Sequence, residues 1–198
     1  MASCAEMSTI ERNAEITPMK TTTTQEIAAA LNRAAEVFRR RPEAGLHDDA
    51  AAAARWEGGL RVVASHANGT QVPSDMPASL GGGGGEVTPG WLFRAGLASC
   101  SAASIAMTAA AEGIELAALE VHANSKSDAR ALIGVAQGDG SPVYAGPCDV
   151  RLSVRNSARG VSPERLRTLA EEGLRRSTVF NVLPNATPAT VDIDVGAE

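Results

Sequence analysis

Apolar and polar positions along this chain change period several times, and each change marks an element. Ile27, Leu31, Ala34 and Phe38 fall on one face at helical spacing. Thr23-Thr24-Gln25-Glu26 ahead of them has the spacing of a capping box. Pro42 closes the helix after Arg39-Arg40-Arg41, a run read as a solvated helix end favoured by the dipole. One amphipathic helix of this kind docks on something else and is not a domain of its own. From Ala53 to Ser79 the pattern turns to strands, expected at 52–57, 60–66 and 70–77. Glu57-Gly58-Gly59 and Asn68-Gly69 are the hairpin turn signals between them.

The next segment is nearly uncharged. Thr88 is a good N-cap, Pro89 suits the first helical position and Gly113 is a stop. Between Trp91 and Ala111 the one charge is Arg94. A helix that is apolar or small all round belongs in the middle of a fold. Its length would span a bilayer, but the Ala/Ser/Gly content, with few large apolar residues, argues against a membrane span. After Gly113 the chain predicts a strand at 116–126, an irregular piece at 127–146 and a strand at 148–155. A helix then starts at Ser162-Pro163-Glu164, with Leu166, Leu169, Ala170 and Leu174 inward. A short turn or helix at 178–184 precedes a last strand at 189–195, where Val191, Ile193 and Val195 alternate. Strands in runs, broken by helices, make the class α+β. Residues 1–22 are polar, lack periodicity and are expected to be a disordered tail, with Met19-Lys20 an alternative start.

Composition narrows the function classes. A net charge of −5 with no long basic run argues against nucleic acid or an anionic membrane as partner. Cys4, Cys100 and Cys148 are an odd number at wide spacing, which is not a disulfide framework and suggests a reducing cytoplasm. No metal site is expected, because His47, His66 and His122 are scattered and no Cys-x-x-Cys occurs. The run Gly81–Gly85 lacks the Lys-Ser/Thr of a phosphate loop, and Glu86 would oppose an anion. No cofactor is implied.

The candidate chemistry rests on Cys100. At helical spacing it shares a face with Phe93, Gly96, Leu97, Ala103, Ser104 and Met107, and the small residues there let another backbone come close. Such a thiol is either inert packing or a nucleophile shielded from bulk water. Only the thiolate reacts, and burial in apolar surroundings opposes it. About twelve residues into its helix, Cys100 gains little from the N-terminal dipole. An active Cys100 therefore needs a cation, and Arg55 or Arg61 on the preceding strands are the candidates. Arg94 points away from the Cys100 face. No histidine is placed for a Cys-His pair, which argues against hydrolase chemistry.

Several motifs fall in an order that resembles one family. They are P-A-S-L-G-G at Pro77–Gly82, T-P-G-W-L-F-R-A-G-L-A-S-C-S at Thr88–Ser101, the Leu-rich helix from Pro163, and S-T-V-F-N-V-L at Ser177–Leu183. From about Ala53 to Val195 the chain resembles the OsmC/Ohr family, the osmotically inducible and organic hydroperoxide resistance proteins. The resemblance implies an intertwined homodimer: a three-stranded meander, a central buried helix, further strands and helices, here with an added N-terminal helix. It divides the chain into a tail at 1–22, a helical extension at 23–42 and an OsmC-like domain at 52–198. It places the family's peroxide-reacting cysteine at Cys100, at the dimer interface, with an Arg and a Glu holding the thiolate. Two departures stand out. Ser177 occupies the position of the family's second cysteine, so no disulfide can form there. The family's glutamate position, ten residues before the cysteine, is Gly90, and Glu86 is the nearest substitute. Ser177-Thr178-Val179 and S-D-A-R-A-L-I-G at Ser127–Gly134 resemble a branch of the family with serine at the second site.

Three functions follow from this reading. The first is reduction of organic hydroperoxides with Cys100 as the single redox cysteine. An external thiol, or Cys148 if the fold brings it within disulfide range, would resolve the sulfenic acid. The second is a catalytically degenerate dimer that binds a small apolar ligand at its interface. The third is a structural role in which residues 23–41 dock on another chain.

Overall fold

The computed structural model describes residues 22–185 and 187–195. Residues 1–21 of the expected tail, with Cys4, lie outside them.

Helix α1 spans Thr24–Arg40. Thr23 caps it: its hydroxyl accepts from the Glu26 N–H at 3.2 Å, and Glu26 returns a bond to the Thr23 N–H at 2.8 Å. The Arg41 N–H closes the last turn onto the Val37 carbonyl, and Pro42 starts a short 3-10 turn. Strands β1 (Ala53–Gly58), β2 (Arg61–Ser65) and β3 (Gln71–Ser74) form an antiparallel meander in chain order. Its second turn uses Gly69 at φ 92°, which glycine adopts without strain. The third strand is shorter than the expected 70–77. Asp75 ends it, with a carboxylate that accepts from the Met76 and Gly83 N–H groups at 2.7 and 2.8 Å. The glycine run folds back tightly here: a Cβ on Gly82 would lie 1.9 Å from the Met76 carbonyl oxygen. The need for glycine at 82 is thus steric.

Helix α2 spans Pro89–Ala111, capped by Thr88 and ended at Gly113, φ 69°. Strands β4 (Leu116–Lys126) and β5 (Cys148–Ala158) pair antiparallel as a long two-stranded ribbon. The piece between them contains one short helix, α3 (Ala129–Leu132). Helix α4 (Pro163–Arg176) and the single turn α5 (Thr178–Asn181) follow, each capped by a serine, Ser162 and Ser177.

The core lies where α2, α4 and the ribbon meet. Ala109, Leu166 and Leu169 are buried there, with Ile114, Leu116, Ala158 and Val161 packed around them, and Leu97 and Ile105 of α2 are fully buried as well. The helices cross closely at Gly173, where a Cβ would sit 2.6 Å from the Ile105 Cα. Across one end, Arg165 pairs with Glu112. By length and composition α2 could cross a membrane, but here it packs on α4, β4, α1 and α5.

Two expectations are corrected. Residues 189–195 form no strand: Val191, Ile193 and Val195 are 80%, 82% and 84% exposed. Alternation specifies which face a strand would bury, not an edge for it to pair with, and neither sheet's pairing includes this segment. Nor is α2 covered all round, since Trp91, Phe93 and Met107 remain exposed. No neighbour within the chain comes within 4 Å of a Cβ built on Gly96, so that side of α2 stays open.

Candidate active site

Cys100 is half-buried in the middle of α2, and its thiol faces the junction of α4 and α5. That junction is built from a few local bonds. The Ser177 N–H closes α4 onto the Leu174 carbonyl at 3.1 Å. The Asn181 amide donates back to the carbonyls of Arg175 and Ser177, at 3.0 and 2.8 Å, and locks the turn. Ser177 is fully buried, with 0% exposure. Its hydroxyl accepts from the Phe180 N–H at 3.3 Å and donates to Cys100 Sγ at 3.2 Å. Thr178 Oγ1 lies 3.5 Å from the same sulfur.

Desolvation is the largest single influence on the thiol and pushes its pKa up. Against it act hydrogen bonds from the Ser177 and Thr178 side chains and from the Val179 and Thr178 backbone N–H groups. Together they prevail, and the pKa falls below the ordinary thiol value. A cysteine at this site is thus biased toward thiolate by neutral donors.

Beside the thiol lies a cavity of about 580 Å³. One wall is α2, with Ala103, Met107 and Ala111; the facing wall is α1, with Leu31, Ala34, Ala35 and Phe38. Thr178 and Arg176 complete it, and Arg176 is the one charged residue in the lining. The N-terminal helix therefore docks over the Cys100 face of its own chain.

The sequence-predicted residues divide in two. Cys100 and Ser177, 77 positions apart, are brought into hydrogen-bond contact. Arg55 and Arg61 are not brought to the thiol within the chain. Arg55 pairs with Glu57 at 2.9 Å, and Arg61 pairs with Glu57 at 3.3 Å and Glu86 at 2.6 Å. Neither arginine lines the Cys100 cavity. Gly90 lines a second cavity, of about 710 Å³, together with Arg94. Cys148 is an exposed free thiol opposite Lys126 at one end of the ribbon, and it neither touches Cys100 nor lines its cavity. No group of acidic, His and Cys side chains among the described residues could hold a metal ion. Sequence reasoning gave no role to Thr178 or Arg176, although both flank Ser177. The hydroxyl pair next to an arginine-rich helix end was the available signal.

The family model for OsmC-like protein matches residues 81–192, more than half of the chain. The chain belongs to the OsmC/Ohr family. Its fold is similar to an OsmC-like protein of Mycoplasma pneumoniae, at TM-score 0.58 and 17% identity over 71% of this chain and 91% of that one. It is also similar to an OsmC-like protein of unknown function from Vibrio cholerae, at TM-score 0.55 and 14% identity, covering 69% and 94%. An organic hydroperoxide resistance protein of Elizabethkingia anophelis aligns at TM-score 0.52 and 18% identity, covering 71% and 93%. A search of curated proteins finds no match. Helix α1 lies before the family-matched segment, so the wall it adds to the Cys100 cavity comes from outside that match.

Proposed function

We propose that this OsmC-like protein reduces organic hydroperoxides with Cys100 as its single redox cysteine. The observation that carries the reading is the thiol itself: held by Ser177 and Thr178, with its pKa lowered, and open to an apolar cavity. The thiolate attacks the terminal peroxide oxygen. An S–O bond forms as the O–O bond breaks, sulfur is oxidised to sulfenic acid, and the departing alkoxide takes a proton from water to leave as alcohol. Ser177 cannot supply a second sulfur. A first external thiol therefore condenses with the sulfenic acid and releases water, and a second frees Cys100 as the thiols leave as a disulfide. Single-cysteine chemistry of this kind, in a chain with an odd number of widely spaced cysteines, suits a reducing cytoplasm.

The functional unit in this reading is a homodimer. The meander packs chiefly on itself within one chain, with Trp56 69% exposed, and the open side of α2 at Gly96 leaves room for a second copy. Arg55 or Arg61 of a second copy is then the remaining source of a cation for Cys100.

The test is stoichiometric oxidation by cumene hydroperoxide and by hydrogen peroxide, with the sulfenic acid trapped at Cys100 and Cys100→Ser as control. Fast oxidation that favours the organic peroxide is the expected result. Oxidation no faster than that of a free thiol would leave the second reading, a ligand-binding dimer, which the apolar cavity and the serine at 177 favour.

A further inference from the structure

We propose that the cavity between α1 and α2 binds an amphipathic organic anion, with its apolar body along α1 and its anionic head at Arg176. This concerns binding, and it stands or falls separately from turnover at Cys100.

Three observations carry it. The cavity, about 580 Å³, is within the roughly 300–1,000 Å³ of small-molecule sites. Its facing walls present Leu31, Ala35 and Phe38 against Met107, and Phe38 stays 46% exposed because the space beside it is open. An apolar ligand body would cover that surface. The one charge in the lining is Arg176, which joins none of the ion pairs formed among the described residues and so keeps its donors for a ligand. A guanidinium at the edge of an apolar cavity selects a carboxylate or similar head group over a neutral one. Thr108 in the lining offers the ligand little competing polarity, since its hydroxyl already donates to the Ser104 carbonyl at 2.8 Å.

The wall that decides fit is α1, which lies outside the family-matched residues 81–192. The ligand preference is accordingly a property of this chain's extension, and α1 is its specificity element.

The experiment is calorimetric titration of the full chain with octanoate, 1-octanol and octylammonium. Octanoate is expected to bind at least about fivefold tighter than 1-octanol, with octylammonium weakest. Arg176→Gln should abolish that ranking while retaining 1-octanol binding. Ala35→Trp, which fills the cavity, should weaken octanoate and 1-octanol alike by at least about tenfold, with an unchanged circular dichroism spectrum. Bound octanoate should also slow alkylation of Cys100. A ranking that survives Arg176→Gln, equal binding of octanoate and octylammonium, or no binding of any of the three would overturn the proposal. So would an Ala35→Trp variant that changes oligomeric state and leaves ligand affinity intact, because the cavity would then be covered by a second copy.

Discussion

The half of the chain built from α2, α4 and the β4–β5 ribbon closes its own core; the β1–β3 meander does not. In the first, Leu97, Ile105 and Leu169 are fully buried, and Gly173 lets two helix backbones nearly touch. In the second, a few links reach the rest of the chain: the Ser74–Val87 bridge, the Asp75 N–H to the Val87 carbonyl, and the Arg61–Glu86 ion pair. Three strands with an apolar face, or a helix to pack on, are about the least a small sheet needs for stability. The contrast teaches that secondary structure and packing are specified separately. The meander's turns and registers form, yet its face awaits a partner.

Two helical glycines give the sharpest way to break that contrast. Gly173→Ala puts a methyl 2.6 Å from the Ile105 backbone, where nothing flexible can yield. It should cost about 3 kcal/mol by overpacking, read as a lower urea midpoint with unchanged slope. A Cβ on Gly96 meets no neighbour within 4 Å. Gly96→Leu should therefore leave the single chain's packing alone, yet raise the proposed homodimer's dissociation constant by at least about tenfold, measured by light scattering across a dilution series. A Gly96→Leu protein that dimerises like the parent would mean that this side of α2 faces solvent.

What was legible in the sequence follows the same division. Thr23, Thr88 and Ser162 announce their helices because a cap is a local bond between a side chain and a backbone three residues on. The ribbon strand at 116–126 was legible from its period. The strand expected at 189–195 was not realised, because alternation at Val191, Ile193 and Val195 carries no information about the edge it requires. At the site, the Cys100–Ser177 contact came from motif order, since no local pattern links positions 77 apart. The cation for the thiol is expected on the strands, and within one chain those arginines pair with Glu57 and Glu86. Within one chain the side-chain donors that reach the thiol are neutral, and Arg176 enters the cavity from a helix end whose register with α2 only packing decides.

A smaller effect separates the thiol from the packing around it. Ser177→Ala removes a donor to Cys100 Sγ and so removes an influence that lowers the thiol pKa. The midpoint of the alkylation rate against pH should move up, and the rate at neutral pH should fall several-fold. The stability sign follows. A depressed folded-state pKa stabilises the fold fully above the unfolded thiol's pKa, and that contribution is lost as pH falls through the folded value. Ser177→Ala should reduce it, so the variant's deficit in urea midpoint should be greater in alkaline than in neutral buffer. An alkylation midpoint unchanged by Ser177→Ala but moved by Arg61→Gln would return thiolate control to an arginine.

The smallest expected effect concerns α1, which sits between the two regimes. It is well capped, yet none of its residues is fully buried. Thr23→Ala loses the capping box and should cost about 1 kcal/mol of helix stability. Because α1 is held by half-buried contacts, that loss should remain local. Amide exchange should speed up about fivefold over 24–40, with protection at Leu97, Ile105 and Leu169 unchanged and the urea midpoint steady. The cavity wall then frays without the core noticing, and octanoate affinity should fall only as far as the folded fraction of α1 falls, much less than its protection. If the urea midpoint drops instead, α1 belongs to the cooperative core, and this helix from outside the family-matched segment is part of what holds α2 in place.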